Sequence, residues 1–250
     1  MRQFIMFVVF LFMLPVIAVS SEAVHWGFKK ASDGRPAEAG AQLDEMLAKY
    51  DSFYKGDTKK KVVYLTFDNG YENGYTKSIL NTLKKEKVPA AFFVTGHYVD
   101  SAPDLLKRMV KDGHIIGNHS WHHYDLTTVP SSTVIEEFKS VEKEVAKVTG
   151  QKKTKYVRPP RGIFSENVLK TAQKAGYTHV MWSLAYVDWY ADQPKGKQYA
   201  YDEIMKQIHP GAVIMLHSVS KDNAEALPDV IRDLKKKGYT FKSLDHLAGA

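Results

Sequence analysis

From Val62 onward, short apolar runs alternate with segments of helical periodicity, and this alternation constrains the fold most strongly. Each helical segment carries one apolar stripe, such as Val134, Phe138 and Val141, so each helix is expected to bury one face. About seven such repeats predict parallel strands connected by helices, in an open sheet or a closed barrel. The predicted strands are Val62–Thr66, Ala90–Val94, Ile115–Gly117, Tyr156–Arg158, His179–Trp182, Ala212–Leu216 and Thr240–Ser243.

The N-terminal residues predict export. Arg2 precedes an apolar run from Phe4 to Ala18, and a run of about fifteen apolar residues is short for a membrane span but typical of a secretory signal. We therefore predict a signal peptide over residues 1–23, with cleavage after Ser20 or Ala23. An uncleaved N-terminal anchor is the alternative. After cleavage we expect no membrane span and an exported monomer, secreted or in the cell wall.

The rest of the chain is predicted to form an extension and one main domain. Residues 24–60 have weak periodicity and should pack on the domain, with one helix over Ala41–Tyr50, whereas residues 61–250 form the domain itself. The 250 residues, 44% of them hydrophobic, suffice for one full core. The absence of cysteine from the sequence excludes thiol nucleophiles and cysteine-ligated zinc. The net charge of +7 fits an anionic wall polymer or an ordinary lysine-rich surface, and no nucleic-acid partner is predicted.

The segment TFDNG, residues 66–70, comes at the end of the first predicted strand. Asn-Gly between apolar runs is the usual signal of a tight hairpin, but the residues that follow predict a loop and a helix. Asp68 and Asn69 are therefore expected in the loop between a strand and a helix. In parallel sheets this carboxyl-terminal edge is where catalytic and ligand-binding groups collect.

Other polar side chains follow predicted strands and should collect at the same edge. They are His119, His122 and His123 after the third strand, Arg158 at the end of the fourth, Asp188 and Trp189 after the fifth, and His217 after the sixth. Each residue alone also fits an ordinary loop or core position. Together they bring carboxylates, imidazoles and a guanidinium to one face from distant parts of the chain, which indicates an active site.

The segment GNHSWHH places His119 and His123 four residues apart. On a helical turn both imidazoles would lie on one face and could bind one metal ion, whereas His122 would point elsewhere. The alternative is a polar loop whose histidines contact solvent or the backbone.

The same positions suggest acid–base chemistry. Asp68 is a candidate general base, which Arg158 would keep ionised and oriented. His217 is a candidate acid that protonates a leaving amine, with Asp188 orienting it. Trp189 beside a cleft suits stacking on a sugar ring. The structural alternatives are a satisfied core histidine at position 217 and a loop anchor at residues 188–189.

Five ordered motifs resemble those of the NodB-homology polysaccharide deacetylases, the carbohydrate esterase family 4. The motifs are TFDNGYENGYT, HIIGNHSWHH, RPPRG, AYVDW and HPGAVIMLH, and the resemblance extends from Lys61 to Leu247. Within the family, these motifs are most similar to those of the muramic δ-lactam-forming de-N-acetylases. The resemblance implies an α/β fold, a distorted (β/α)7 barrel.

The resemblance also implies a role for each site residue. It makes Asp68 the catalytic base oriented by Arg158, and it makes His217 the catalytic acid tuned by Asp188. The other implied site residues are the metal ligands His119 and His123 and the substrate-binding residues Trp189, Arg161 and Pro160. The implied cofactor is a divalent metal, with zinc the first candidate, and the backbone N–H of Arg161 would be an oxyanion donor.

Two positions depart from the usual family pattern. Asn69 stands where most members carry a second aspartate that ligates the metal, so divalent affinity should fall. The open outcomes are a weaker metal site, a larger role for Asp68 at the metal, no catalytic metal, or deamidation of Asn69. The δ-lactam subgroup is similar in carrying Asn here, so Asn69 is not a mark of inactivity. Arg161 stands where an aromatic residue is commoner, and we hypothesise that its side chain pairs with the lactyl carboxylate of muramic acid.

The implied activity is removal of the acetyl group from N-acetylmuramic acid residues of peptidoglycan glycan strands. Muramic δ-lactam would follow in the spore cortex, which connects the protein with germination. One alternative is a deacetylase of other glycans, such as chitin, the N-acetylglucosamine of peptidoglycan, or xylan. Another is a wall-glycan-binding module without turnover.

Overall fold

The computed structural model describes residues 22–32 and 35–248, so the predicted signal peptide lies outside the described residues except for Glu22 and Ala23. The strands of this part of the chain are β1 (Val24–His25), β2 (Val62–Asn69), β3 (Ala90–Val94), β4 (Ile115–Asn118), β5 (Tyr156–Val157), β6 (Ile163–Phe164), β7 (Thr178–His179), β8 (Val213–His217) and β9 (Thr240–Phe241). The helices are α1 (Ala41–Lys49), α2 (Thr76–Glu86), α3 (Gly96–Ser101), α4 (Pro103–Lys111), α5 (Ser131–Thr149), α6 (Glu166–Lys174), α7 (Lys197–Gln207), α8 (Lys221–Lys236) and α9 (Leu244–Ala248).

Seven strands form one parallel sheet in the order β7-β5-β4-β3-β2-β8, with β9 also paired to β2. The sheet curls, because the chain beyond β7 returns to β8. There Leu184 forms a parallel bridge with Ile214, and the N–H of Met215 donates to the carbonyl of Leu184. This contact joins the two edges into a distorted barrel. The strand–helix alternation left an open sheet or a barrel possible, and the family resemblance implied the barrel.

Strand β2 lies near the middle of the sheet, and seven of its eight residues are buried. Such burial on both faces explains its nearly continuous apolar sequence. Phe67 stacks on Phe92 of β3 with ring centroids 5.1 Å apart. The strand continues to Asn69, beyond its predicted end, because β3 pairs with it along its whole outer half. Asp68 and Asn69 are therefore strand residues rather than loop residues, and Asp68 lies opposite His217 of β8.

The predicted apolar stripes pack against this sheet. Ile79, Leu80 and Leu83 of α2 are fully buried, as are Val141 and Val145 of α5. Within the described ranges, no helix has the length and apolar character needed to cross a membrane.

The segment before the barrel packs against β6 and the chain after β7. Strand β1 pairs antiparallel with β6, and the indole N–H of Trp26 donates to the carbonyl of Trp182 at 3.0 Å. Leu47 of α1 lies in one apolar cluster with Phe164. Helix α1 matches the predicted helix to within one residue. The β1–β6 pair was not predicted, because strands of two residues leave no periodic signal.

Gly211 precedes β8 and holds three parts of the backbone together. Its N–H donates to the carbonyl of Val62, and its own carbonyl accepts from the N–H of Gly56, both at 2.8 Å. Its φ is +79°, and a Cβ at this position would lie 2.6 Å from the carbonyl oxygen of Gly56. Gly176 also has a positive φ of +82°, but a Cβ there would meet no atom within 4 Å.

We predict that Gly211→Ala destabilises the protein more than Gly176→Ala does. Both variants should lose about 1–2 kcal/mol for the left-handed backbone. Only Gly211→Ala adds the clash with backbone, a further ~1–3 kcal/mol. Urea denaturation followed by tryptophan fluorescence measures both free energies of unfolding. Equal losses would show that the close approach of Gly56 does not constrain β8.

Candidate active site

A cleft of about 1180 Å³ opens at the carboxyl ends of the strands. The sequence-predicted site residues that line it are Asp68, His119, His123, Arg161, Trp189 and His217. Three more, Asn69, Arg158 and Asp188, are buried and lie outside the lining, where they contact residues of the site. The structure therefore brings the candidate acid, the candidate base and both candidate metal histidines to one cavity, although they come from distant parts of the sequence.

A buried ion pair joins Asp68 to Arg158. Nη1 of Arg158 donates to Oδ1 of Asp68 at 2.6 Å, with Arg158 fully buried and Asp68 4% exposed. The guanidinium also donates from Nη2 to Oγ1 of Thr66 at 3.0 Å and from Nε to the carbonyl of Val180 at 2.9 Å. The ring of Phe93 lies 4.1 Å from the guanidinium carbon. Arg158 is thus held on several sides and fixes the direction of the carboxylate.

The ion pair determines the charge of Asp68. Burial alone would raise the pKa of this carboxyl, but the charge of Arg158, supported by His119 and His217, outweighs burial and lowers the pKa below its ordinary value. Asp68 is therefore ionised at neutral pH. Since Oδ1 is bound to Arg158, Oδ2 is the oxygen left for chemistry, and it lies 3.8 Å from Nε2 of His119.

The two candidate metal histidines meet, but not on a helical turn. The segment after β4 is irregular, and Ser120 and His123 have φ values of +65° and +60°. The loop is held because Asn118 Oδ1 accepts from the N–H of Ser120, and Ser120 Oγ accepts from the N–H of His123, both at 3.0 Å. The helical explanation of the spacing is therefore wrong: left-handed loop residues bring the rings together.

The donor set of this loop fits part of a metal site. Nδ1 of His119 lies 2.9 Å from the carbonyl of Arg158 and donates to it, so its Nε2 carries a lone pair. Burial lowers the pKa of His119, and burial with the charge of His119 lowers the pKa of His123 to about 4, so both rings are neutral near pH 7. Their Nε2 atoms are 3.2 Å apart, close to the ~3.3 Å separation of two nitrogens on a tetrahedral zinc ion.

The oxygen ligands available for such a metal site are weaker than its nitrogen ligands. Nδ2 of Asn69 donates to Oγ of Ser218 at 2.7 Å, whereas its buried Oδ1 has no hydrogen-bond partner among the described residues. A buried carbonyl oxygen without a donor is unusual and suits contact with a cation or water. Even so, the described part of the chain has no group of three or more His, Asp or Glu side chains that could hold a metal. The residues fit a divalent ion through two nitrogens, with a neutral amide where a carboxylate would strengthen binding.

The imidazole of His217 is clamped by Asp188. The backbone N–H of His217 donates to Oδ2 of Asp188 at 2.8 Å, and its Nδ1 lies 2.6 Å from Oδ1. Burial opposes the imidazolium, but the Asp188 carboxylate, together with Asp68, outweighs burial and raises the pKa of His217 above its ordinary value. The ring of Trp189 lies 5.6 Å away at the cleft wall. Asp188 thus favours the protonated form of His217, which lies opposite the ionised Asp68.

Asn223, in the first turn of α8, was missed by the sequence analysis. Its Nδ2 donates to Oδ2 of Asp188 at 2.5 Å and to the carbonyl of His217 at 3.2 Å, and its Oδ1 accepts from the hydroxyl of Tyr186. The only sequence signal was an asparagine just inside a helix, where its propensity is low.

The loop after β5 places Arg161 at the cleft and Pro160 behind it. Arg161 has φ +56°, and its half-exposed guanidinium lies 3.6 Å from the carboxylate of Asp125. Pro160 is buried in the 3₁₀ turn Pro160–Gly162 and is not part of the cleft lining, so it shapes the turn. Of five non-glycine residues with positive φ in the described ranges, Arg161, Ser120 and His123 belong to the site loops. Backbone strain of this kind concentrates at functional sites.

Comparisons with known proteins identify the family. The family model described as Polysaccharide deacetylase matches residues 55–180. The chain belongs to this family, the carbohydrate esterase family 4. The fold and the enzyme class that the motifs implied, a carbohydrate deacetylase, are confirmed by this match and by similar solved structures.

One relative is especially similar. The chain is 57% identical to the "Peptidoglycan-N-acetylmuramic acid deacetylase PdaA" of Bacillus subtilis (strain 168), over 92% of this chain and 88% of that protein. The solved structure of Bacillus subtilis PdaA, described as a family 4 carbohydrate esterase, matches with a TM-score of 0.89 over 90% of this chain and 97% of that chain. A family 4 pseudoenzyme from Bacillus anthracis matches with 30% identity and a TM-score of 0.73, over 79% of this chain and 68% of that chain.

We predict that Arg158→Met lowers the free energy of unfolding by about 3–5 kcal/mol, because it leaves the Asp68 charge buried without its partner. The double variant Arg158→Met, Asp68→Asn should recover part of this loss, since no unpaired carboxylate remains. Urea denaturation of the parent and the three variants, including Asp68→Asn alone, gives the coupling energy. A double variant no more stable than Arg158→Met would contradict this explanation.

We predict that Asp188→Asn moves the alkaline limb of the kcat/KM profile to lower pH. The carboxylate raises the pKa of His217; without it burial lowers that pKa, so the catalytic proton is lost at a lower pH. Acetate release measured across the pH range tests this shift. Asp222→Asn is the matched control. Asp222 accepts hydrogen bonds from the backbone N–H groups of Lys195 and Gly196 and makes no hydrogen bond to His217 in the described part of the chain. The control should keep the parent profile, and an unshifted Asp188→Asn profile would contradict the role of Asp188.

Proposed function

We propose that this protein is an exported peptidoglycan deacetylase that removes the acetyl group from N-acetylmuramic acid residues. The observation that carries the proposal is the placement of an ionised carboxylate, Asp68, opposite the imidazole of His217, whose protonated form Asp188 favours, in one cleft. Similarity along most of the chain to a protein described as a peptidoglycan-N-acetylmuramic acid deacetylase supports the choice of substrate. Residues 61–250 would form the catalytic domain, residues 1–23 the signal peptide, and residues 24–60 the packed extension.

In this proposal Asp68 and His217 divide the proton transfers. Oδ2 of Asp68 accepts a proton from water as the water oxygen attacks the amide carbonyl carbon. The C–N bond then breaks while Nε2 of His217 gives its proton to the departing nitrogen. Arg158 keeps Asp68 ionised and oriented, and Asp188 keeps His217 protonated and oriented. The products are acetate and a free amine.

The developing oxyanion needs hydrogen-bond donors, and we assign one of them to the loop after β5. The backbone N–H of Arg161 is the proposed donor, and loss of one such donor typically costs on the order of 100–1,000-fold in rate. A divalent ion, zinc in the first instance, would be held by His119 and His123 with an oxygen of Asp68 or Asn69. When bound, it supplies Lewis-acid stabilisation of negative charge on the substrate oxygen. The neutral Asn69 amide should make its affinity lower than that of a site with a second carboxylate.

The freed amine of muramic acid can react with its own lactyl carboxyl group. Closure of this ring, with loss of water, gives the muramic δ-lactam. By family resemblance the product belongs to the spore cortex, so the protein would act in the spore envelope during sporulation or germination.

The experiment uses purified protein and stem-stripped glycan strands, with and without a chelator, and measures acetate and lactam by mass spectrometry. Release of acetate from muramic residues supports the proposal. Release only from chitin, from peptidoglycan N-acetylglucosamine or from xylan would favour the alternative substrates. Full glycan binding with no acetate released under any divalent ion would favour a binding module, which Asn69 and the family 4 pseudoenzyme motivate.

We predict that Arg161→Ala discriminates against muramic substrates. The guanidinium would pair with the lactyl carboxylate, which glucosamine lacks, and a charged hydrogen bond is worth roughly 10–100-fold in binding. The kcat/KM should therefore fall by that factor for muramic substrates and by much less for N-acetylglucosamine oligomers. Arg161→Lys keeps the charge but loses the bidentate geometry and should be intermediate. Equal losses on both substrates would rule out recognition of the lactyl group.

A further inference from the structure

A third histidine, His122, lines the cleft, and the proposed chemistry does not use it. Its backbone N–H donates to Oε2 of Glu137 at 2.8 Å, and its Nδ1 lies 2.6 Å from Oε1 of the same residue. Glu137 belongs to α5 and is only 4% exposed. Both oxygens of one buried carboxylate thus hold the backbone and the ring of a single histidine.

The clamp on His122 repeats the geometry of the clamp on His217. In both cases one carboxylate accepts the backbone N–H and the Nδ1–H of the same histidine. A carboxylate can only accept hydrogen bonds, so Nδ1 of His122 carries a proton. Its Nε2 is then the ring nitrogen left for another partner, and it is held in a fixed direction.

The ring of His122 is also fixed on its face and remains open to the cleft. It stacks on Tyr124 with centroids 4.8 Å apart and an interplanar angle of 11°. Its side chain is still 53% exposed. Because the Nδ1 edge faces buried Glu137, the exposed edge is the one that carries Nε2. A histidine held in this way presents Nε2 to the cleft in a fixed position for a hydrogen bond.

Sheet order places His122 away from the side of the cleft where Trp189 lies. His122 follows β4, Asp68 is on β2, and Trp189 contacts His217 of β8, with strands in the order β4-β3-β2-β8. His122 and Trp189 are therefore associated with opposite sides of the proposed base. The cleft volume of about 1180 Å³ exceeds the roughly 300–1,000 Å³ of ordinary small-molecule pockets, so more than one sugar ring has room.

We propose that His122 forms a second glycan subsite, in which its Nε2 forms a hydrogen bond with a hydroxyl group of the sugar next to the one deacetylated. This inference rests on the proposed function, because it requires a glycan strand in the cleft. The Glu137 carboxylate is the positioning group that fixes the ring and its tautomer.

Two variants test the subsite by different routes. His122→Phe keeps a flat ring against Tyr124 but removes Nε2. Glu137→Gln keeps the imidazole but has only one acceptor oxygen. The backbone N–H of His122 requires that oxygen, so the Nδ1–H of the ring loses its acceptor. The ring is then no longer held in a fixed direction, and histidine ¹⁵N NMR detects the loss of the Nδ1 hydrogen bond.

The measurement is steady-state acetate release from N-acetylated oligosaccharides of increasing length. Loss of one neutral hydrogen bond should raise KM by roughly 5–10-fold, with a smaller change in kcat, for oligosaccharides long enough to reach the subsite. His97→Phe is the matched control, since His97 is an exposed histidine of the same cleft with no carboxylate clamp in the described part of the chain. The control should keep the parent length dependence.

The outcomes separate this inference from the proposed function. A parent protein that releases no acetate from any glycan overturns both. If the parent is active but both variants keep its KM at every length, only the subsite fails. Equal losses at all lengths, with a lower urea midpoint, would also overturn it, since they mark the clamp as a structural anchor of α5.

Discussion

The buried pair of Arg158 and Asp68 is the interaction on which the site depends. Removing two charges from water is costly, and such a pair persists only if geometry and further hydrogen bonds compensate. Here the guanidinium also donates to Thr66 and to the carbonyl of Val180, and it faces the ring of Phe93. The pair therefore connects β2 with the end of β5 and with the chain after β7. The charge of the base is thus determined by the packed interior, where solvent has little access.

The proposed acid and the proposed base are distinguished by their partners rather than by their burial. Burial alone would favour the neutral form of both Asp68 and His217. The adjacent Arg158 keeps Asp68 ionised, and the adjacent Asp188 favours the protonated form of His217. The carboxylates of Asp68 and Asp188 differ in whether an oxygen is free to accept a proton. Asp68 keeps Oδ2 available, whereas both oxygens of Asp188 accept hydrogen bonds from His217 and Asn223. One carboxylate can accept a proton from the cleft, and the other can only orient its histidine.

The sequence was sufficient for the parts of the structure that depend on local pattern. Apolar runs and helical stripes predicted the sheet, and the position of Asp68 at a strand end predicted the edge where the site lies. The pairing of His119 with His123 was expected for the wrong reason, because a spacing of four fits a helical turn as well as a left-handed loop. Glu137 and Asn223 could not be predicted as partners, since each acts from a helix whose contact with a distant loop exists only in the folded chain.

Asn69 changes the net charge that a divalent ion would meet at the site. This charge bears on which groups the proposed reaction depends on. An aspartate at position 69 would give the site a net negative charge, which attracts a cation. With an amide there, the charge of Asp68 is offset by Arg158, and the two neutral rings of His119 and His123 contribute lone pairs without charge. Attraction of a divalent ion then depends mainly on the two nitrogens. The more weakly the ion binds, the more the proposed reaction relies on proton transfer by Asp68 and His217. These are the groups that the fold holds most firmly.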